Sequence, residues 1–183
     1  MAKAMTGSFY LTETVQLPPN TSDGSRVTGT LDLAAYVNVA QSQAVAVESV
    51  DVIIQQGANF KQLNKDLLAA DGAISTQLTD LNPGNGFVRA DNNSLIASSV
   101  INIDKTSNQA TNEMDLYPDN FGPAAMSEAF MVVNDTLFFT AGNDGAATTT
   151  DELFITARIK CRIVKLSQKD FVAIAIQSTA SDN

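Results

Sequence analysis

From Glu152 to Leu166 the chain alternates strictly, with Ile155, Ala157, Ile159, Cys161 and Ile163 on one side and Thr156, Arg158, Lys160 and Arg162 on the other. Period two sustained over that length predicts a strand with one buried face. The same pattern opens the chain: in residues 8 to 17, Phe9, Leu11, Val15 and Leu17 alternate against Tyr10, Thr12, Thr14 and Gln16. The loop PPNTSDGS follows, then a second strand over residues 26 to 33, with Val27, Gly29, Leu31 and Leu33 on its apolar side. Residues 44 to 55, AVAVESVDVIIQ, are rich in β-branched side chains, but the apolar phase slips near Ser49, from Val45 and Val47 to Val50, Val52 and Ile54. Such a slip predicts a β-bulge inside one long strand.

The middle of the chain is less regular. NFKQLNKDLLAAD, residues 59 to 71, places Leu63, Asp66, Leu67 and Ala70 at helical spacing and predicts a short helix before the turn NPGNG. Strand patterns return at residues 94 to 104 and 129 to 141, the latter either one bent strand or a tight hairpin about Asn134 and Asp135. Residues 107 to 127 and 142 to 151 read as loops. At the C-terminal end, Ser167 and Asp170 have capping-box spacing and predict a short helix carrying Phe171, Ile174 and Ala175 on one face, with a strand through Val172, Ile174 and Ile176 as the alternative.

About eight strands, one or two short helices and no alternation of helix with strand describe an all-β chain: a β-sandwich, jelly roll or closed barrel. A length of 183 residues without a break in composition predicts a single domain over 1 to 183. The N-terminal segment MAKAMTGSFYLTETV lacks the apolar core of a signal peptide, and no later run is long enough for a membrane span, so folding in a cytoplasm is expected.

Composition narrows the chemistry. Charged residues make up only 17% and the net charge is −9, which opposes wholesale phosphate binding, since that depends on Lys and Arg displacing counterions. With no His and a single Cys, the Ser-His-Asp and Cys-His arrangements, HExxH sites and four-cysteine zinc sites cannot be built from this chain. No catalytic residue, cofactor or metal site is assigned, and an enzyme is not expected. Cys161 reads as a buried small hydrophobe. Asp115, Asp119 and Asp144 could ligate Ca²⁺, but beside Gly or Pro they read as turn residues. The cations are unevenly placed: of 11 Lys and Arg, five (Arg158, Lys160, Arg162, Lys165 and Lys169) lie within twelve residues. Arg158, Lys160 and Arg162 stand about 6.6 to 7 Å apart on one strand face, without the aromatic interleaving of a single-strand nucleic-acid platform. They are the candidate subunit-contact residues, expected to meet acidic groups of an adjacent strand or subunit.

Residues 29 to 55, 130 to 142 and 152 to 166, with short strands, polar loops and a surface of Ser, Thr, Asn and Gln, resemble the single jelly-roll capsid proteins of tailless icosahedral viruses. The resemblance implies a structural virion protein, assembled in the host cytoplasm, whose partners are copies of itself (trimer, pentamer or higher) and other virion proteins. Small capsid proteins that touch their genome are expected to carry a basic N-terminal arm, whereas MAKAMTGSFY has one Lys. The resemblance therefore fits best with a shell over an internal membrane or separate core, without direct genome contact. Two other classes stay open: a ligand- or carbohydrate-binding β-sandwich, and another particle component such as a tail, fibre or surface-layer subunit.

Overall fold

A computed structural model describes residues 2–84, 86–114 and 130–180. Among the described residues, ten strands lie in two antiparallel sheets: β1 (Lys3–Ala4), β2 (Phe9–Leu17), β3 (Arg26–Asp32), β4 (Gln43–Gln56), β5 (Gly72–Thr79), β6 (Leu95–Asp104), β7 (Gln109–Met114), β8 (Phe130–Val132), β9 (Thr136–Asp144) and β10 (Leu153–Lys165). One helix follows, α1 (Gln168–Ala180).

The pairing is that of a long hairpin rolled up. β2 pairs with β10, β3 with β9, β4 with β8 and β5 with β6. The roll is closed by β10 on β4 and β9 on β5. One sheet therefore runs β2-β10-β4-β8 and the other β3-β9-β5-β6, which is the strand order of an eight-stranded jelly roll. β1 extends the β2 edge along the end of β10, and β7 adds an outer strand beside β6.

Alternation explains why the sheets face each other. Leu153, Ile155, Ala157, Ile159 and Cys161 of β10 are fully buried, as are Leu137 and Ala141 of β9, and they meet Val15, Leu17, Val45, Ile74, Leu78 and Phe139 in one apolar layer. Each fully buried Leu, Ile or Phe contributes roughly 1.5–3 kcal/mol of transfer free energy, so this layer dominates stability.

The bulge falls where the phase slip predicts it. Lys160 pairs with Ser49 and Cys161 with Val47, leaving Glu48 as the extra residue. Without it, Val50, Val52 and Ile54 would rotate to the outer face.

α1 forms as the capping pattern predicts, rather than the alternative strand. The Asp170 amide donates to Ser167 Oγ at 3.1 Å, and the Phe171 amide to the Ser167 carbonyl. Phe171, Ile174 and Ala175 pack on the outer face of the first sheet against Ala44, Ala46, Val133, Val164 and Leu166. This is why all four residues from Ala44 to Val47 are buried: one pair faces the sandwich and the other faces α1. No helix among the described residues is long and apolar enough to cross a membrane.

Four expectations need correction. The helix at 59 to 71 is absent apart from one 3-10 turn, Asn64–Asp66. Leu67 and Leu68 are both buried in the core, Leu68 bridges Thr148, and the Ala69 amide bonds to the Ala147 carbonyl. Adjacent buried leucines and backbone bonds directed at a neighbouring segment override the helical spacing. β7 occupies the start of the segment expected to be a loop over 107 to 127, the rest of which (115 to 127, with Asp115 and Asp119) lies outside the described residues. Asn134 and Asp135 form neither a hairpin nor a bend within one strand. They carry the chain from β8 in one sheet to β9 in the other, and β9 continues to Asp144, into the expected loop 142 to 151.

Candidate functional site

β10 is the second strand of its sheet, so its outward residues lie between β2 and β4. Strand alternation sends Arg158, Lys160 and Arg162 to the outer face, and the three have different surroundings. Arg158 is exposed, with its guanidinium 5.2 Å from the centre of the Tyr10 ring. Thr12 flanks it on β2, and Asp51 stands directly across on β4. Tyr10 is itself 54% exposed. Thr14 and Thr156 share a hydrogen bond at 2.9 Å farther along the same face.

Lys160 and Arg162 turn to a partner within the chain. Lys160 Nζ lies 3.5 Å from Glu48 Oε2, and Arg162 Nε lies 3.1 Å from Glu48 Oε1. Ser8 Oγ donates to Glu48 Oε2 at 2.8 Å. The bulge makes this possible, since the extra residue presents its carboxylate to two cations of the neighbouring strand. Of the five clustered cations, two thus meet an acid of an adjacent strand, and Arg158 keeps its guanidinium on the open part of the face. Glu48 did not stand out in the sequence. The phase slip marked the bulge, and an acid at the slip beside a cationic strand is the signal that locates it.

Beneath the face, Cys161 is fully buried. Burial, and then the negative charge of Glu48, push its thiol up to about 11, so the thiolate needed for nucleophilic or metal chemistry is disfavoured.

Asp144 is likewise committed. Its Oδ1 accepts from Arg26 at 2.6 Å, and the Arg26 guanidinium stacks on Phe87, 4.4 Å from the ring centre. No group of three or more Cys, Asp or Glu among the described residues could hold a metal ion.

One further acid is out of the ordinary. Asp80, just after β5, is only 2% exposed, and burial pushes its carboxyl up to about 6.

A groove of about 420 Å³ lies on the outer face of the second sheet, lined by Arg26, Thr28, Thr30, Asn82, Gly84 and Phe138.

No family model matches the chain, and no curated protein sequence matches it. Among solved structures it is similar to a chain of Desmodium yellow mottle tymovirus at 10% identity and a TM-score of 0.31, covering 88% of this chain and 91% of that one. It is similar to empty-head turnip yellow mosaic virus at 10% identity and a TM-score of 0.29, over 88% of this chain and 85% of that one. For turnip yellow mosaic virus itself the values are 9%, 0.29, 88% and 98%.

Proposed function

We propose that the chain is a self-assembling structural subunit of an icosahedral virion shell, with the whole chain acting as one jelly-roll unit. The observation that carries this reading is a jelly-roll strand order combined with a surface poor in charge that leaves large apolar side chains in solvent: Val39 at 70%, Phe60 at 54% and Leu63 at 45% exposed. Viral coat subunits are among the principal users of the eight-stranded jelly roll. Val39 precedes β4, while Phe60 and Leu63 follow it, so contacts are available at both ends of that strand.

On this reading the mechanism is assembly. Closed symmetry reuses one patch in many contacts, each individually weak. The partners are copies of the same chain and other virion proteins, over an internal membrane or core, and the subunit resides in the virion. Arg158 with Tyr10 forms the part of the cationic face that a neighbouring acidic surface would engage.

The test is the mass of the purified protein by light scattering across a range of concentrations, with negative-stain images of the same fractions. Trimers, pentamers or shells are expected. A 19.4 kDa monomer throughout would overturn the reading. It would favour instead a ligand-binding sandwich, for which the groove beside Arg26, Asn82 and Phe138 is the specific observation, with its mixture of hydrogen-bonding groups and one aromatic face.

A further inference from the structure

Asp80 sits where three elements meet. Its amide donates to the Ser94 carbonyl, and Asn134, in the connection from β8 to β9, donates through Nδ2 to its carbonyl and, at 3.4 Å, to Oδ2. It also lines a cavity of about 180 Å³ together with Asn93, Phe130 and Met131 of β8, and Ile174 and Gln177 of α1. Oδ1 is buried and has no hydrogen-bond partner.

A carboxylate in that position is poorly served. A buried charge needs hydrogen bonds to both oxygens or a counter-ion, whereas here the carboxyl is held only by its own backbone amide and by one long bond from Asn134 to Oδ2, and burial outweighs both. Among the described residues, the side chains around it are Asn93, Phe130, Met131, Asn134, Ile174 and Gln177, none of them ionisable. Of the charges nearest along the same elements, Arg89 and Asp91 pair with each other in solvent, Asp135 accepts from Thr136, and Lys169 and Asp170 lie in the first turn of α1, ahead of Ile174. Protonation is the remaining way to lower the cost.

We propose that Asp80 is a pH-operated latch for α1: neutral, it lets the helix close over the cavity; ionised, it draws water into the cavity and loosens Ile174 and Gln177 from β8. The cleft supplies the room, about 180 Å³ lined in part by the polar groups of Asn93 and Gln177 that entering water needs as partners. The sign follows from linkage. The carboxyl titrates near its ordinary value of 3.8 when hydrated and at about 6 when buried, so the closed state binds the proton more tightly. Closure is strongest below about pH 4, weakens as pH rises, and reaches its weakest level above about pH 6.

Hydrogen exchange read by mass spectrometry or NMR across α1 and β8, corrected for intrinsic rates, tests this between pH 4.5 and 7.5. The opening constant of the Val172 to Gln177 amides should rise by a factor of the order of ten to a hundred in the intact chain. Asp80→Asn should flatten the profile at the protected level. Asn134→Ala, which removes the side-chain donor to Oδ2, should move the midpoint to higher pH. The proposal is overturned if Asp80→Asn keeps the wild-type pH profile, if Asn134→Ala leaves the midpoint in place, or if opening of α1 does not depend on pH while the whole sandwich loses stability.

Discussion

The carboxylate of Glu48, the residue left over at the β4 bulge, stands 3.1 Å from Nε of Arg162 on β10. A register irregularity and an ion pair are here one feature. The bulge keeps both halves of β4 facing the core, and the residue it frees holds two of the clustered cations. Glu48 is 18% exposed at the side chain, with Arg162 at 31% and Lys160 at 41%, so the pair with Arg162 dominates and the pair with Lys160 is strongly screened. Glu48→Gln should lower stability by about 1 kcal/mol, between the values for surface and buried pairs. Urea unfolding measures it, and the difference should shrink in 1 M salt, where the screening length falls to about 3 Å. A loss that salt leaves unchanged would show that Glu48 matters for packing alone.

Ser167 starts α1 by accepting the Asp170 amide. Ser167→Ala should cost about 1 kcal/mol, the usual value of a lost helix cap, and expose the apolar patch around Ala44, Ala46 and Val164 to more frequent opening. Val172→Ser is the control, since Val172 is 49% exposed and lies outside the Phe171, Ile174 and Ala175 contact. Equal effects of the two changes on the urea midpoint would contradict the assigned helix face.

Local pattern was enough wherever one face of a strand is uniformly apolar. β2, β3, β4 with its bulge, β6 and β10 could be read directly, and α1 could be read from its cap. β5 was missed because its inward column, Ile74, Thr76 and Leu78, is broken by a threonine that is buried and donates to the Ser99 carbonyl. β7, QATNEM, was missed because it is a polar outer strand held by backbone pairing with β6. The candidate site was legible as a row of cations. Their division between Glu48 and the open face was not, because it depends on which acid the register of β4 places across from each.

Cys161 should behave as an inert side chain. It is fully buried, and burial together with the Glu48 charge pushes its thiol up to about 11. In native protein at pH 8, iodoacetamide should label it only as fast as the chain unfolds, whereas in urea labelling should proceed at the rate of a free thiol. Glu48→Gln removes the smaller of the two causes and should lower the thiol's pKa while leaving burial intact, so native labelling should still be limited by unfolding. Rapid labelling of the folded wild type would mean that β10 opens locally.

Arg158 and Arg162 separate assembly from folding, because the same substitution meets different surroundings. At Arg162, a Glu would face the Glu48 carboxylate across the ladder, two like charges in a half-buried site, and Arg162→Glu should lower stability by about 2 kcal/mol or more. At Arg158, a Glu would enter an exposed position, giving up the contact with Tyr10 and standing opposite Asp51. Such exposed changes usually stay within about 1 kcal/mol. If the open half of this face meets an acidic neighbour in the shell, Arg158→Glu should nevertheless reduce the oligomer mass sharply, and low salt should accentuate the loss as like charges repel. Melting temperature and light scattering on both variants give four readings. A normal melt with a smaller particle for Arg158→Glu, and a lowered melt for Arg162→Glu, is the expected pattern. Full-sized particles from Arg158→Glu would remove the cationic face from the contact and shift attention to the exposed Val39, Phe60 and Leu63.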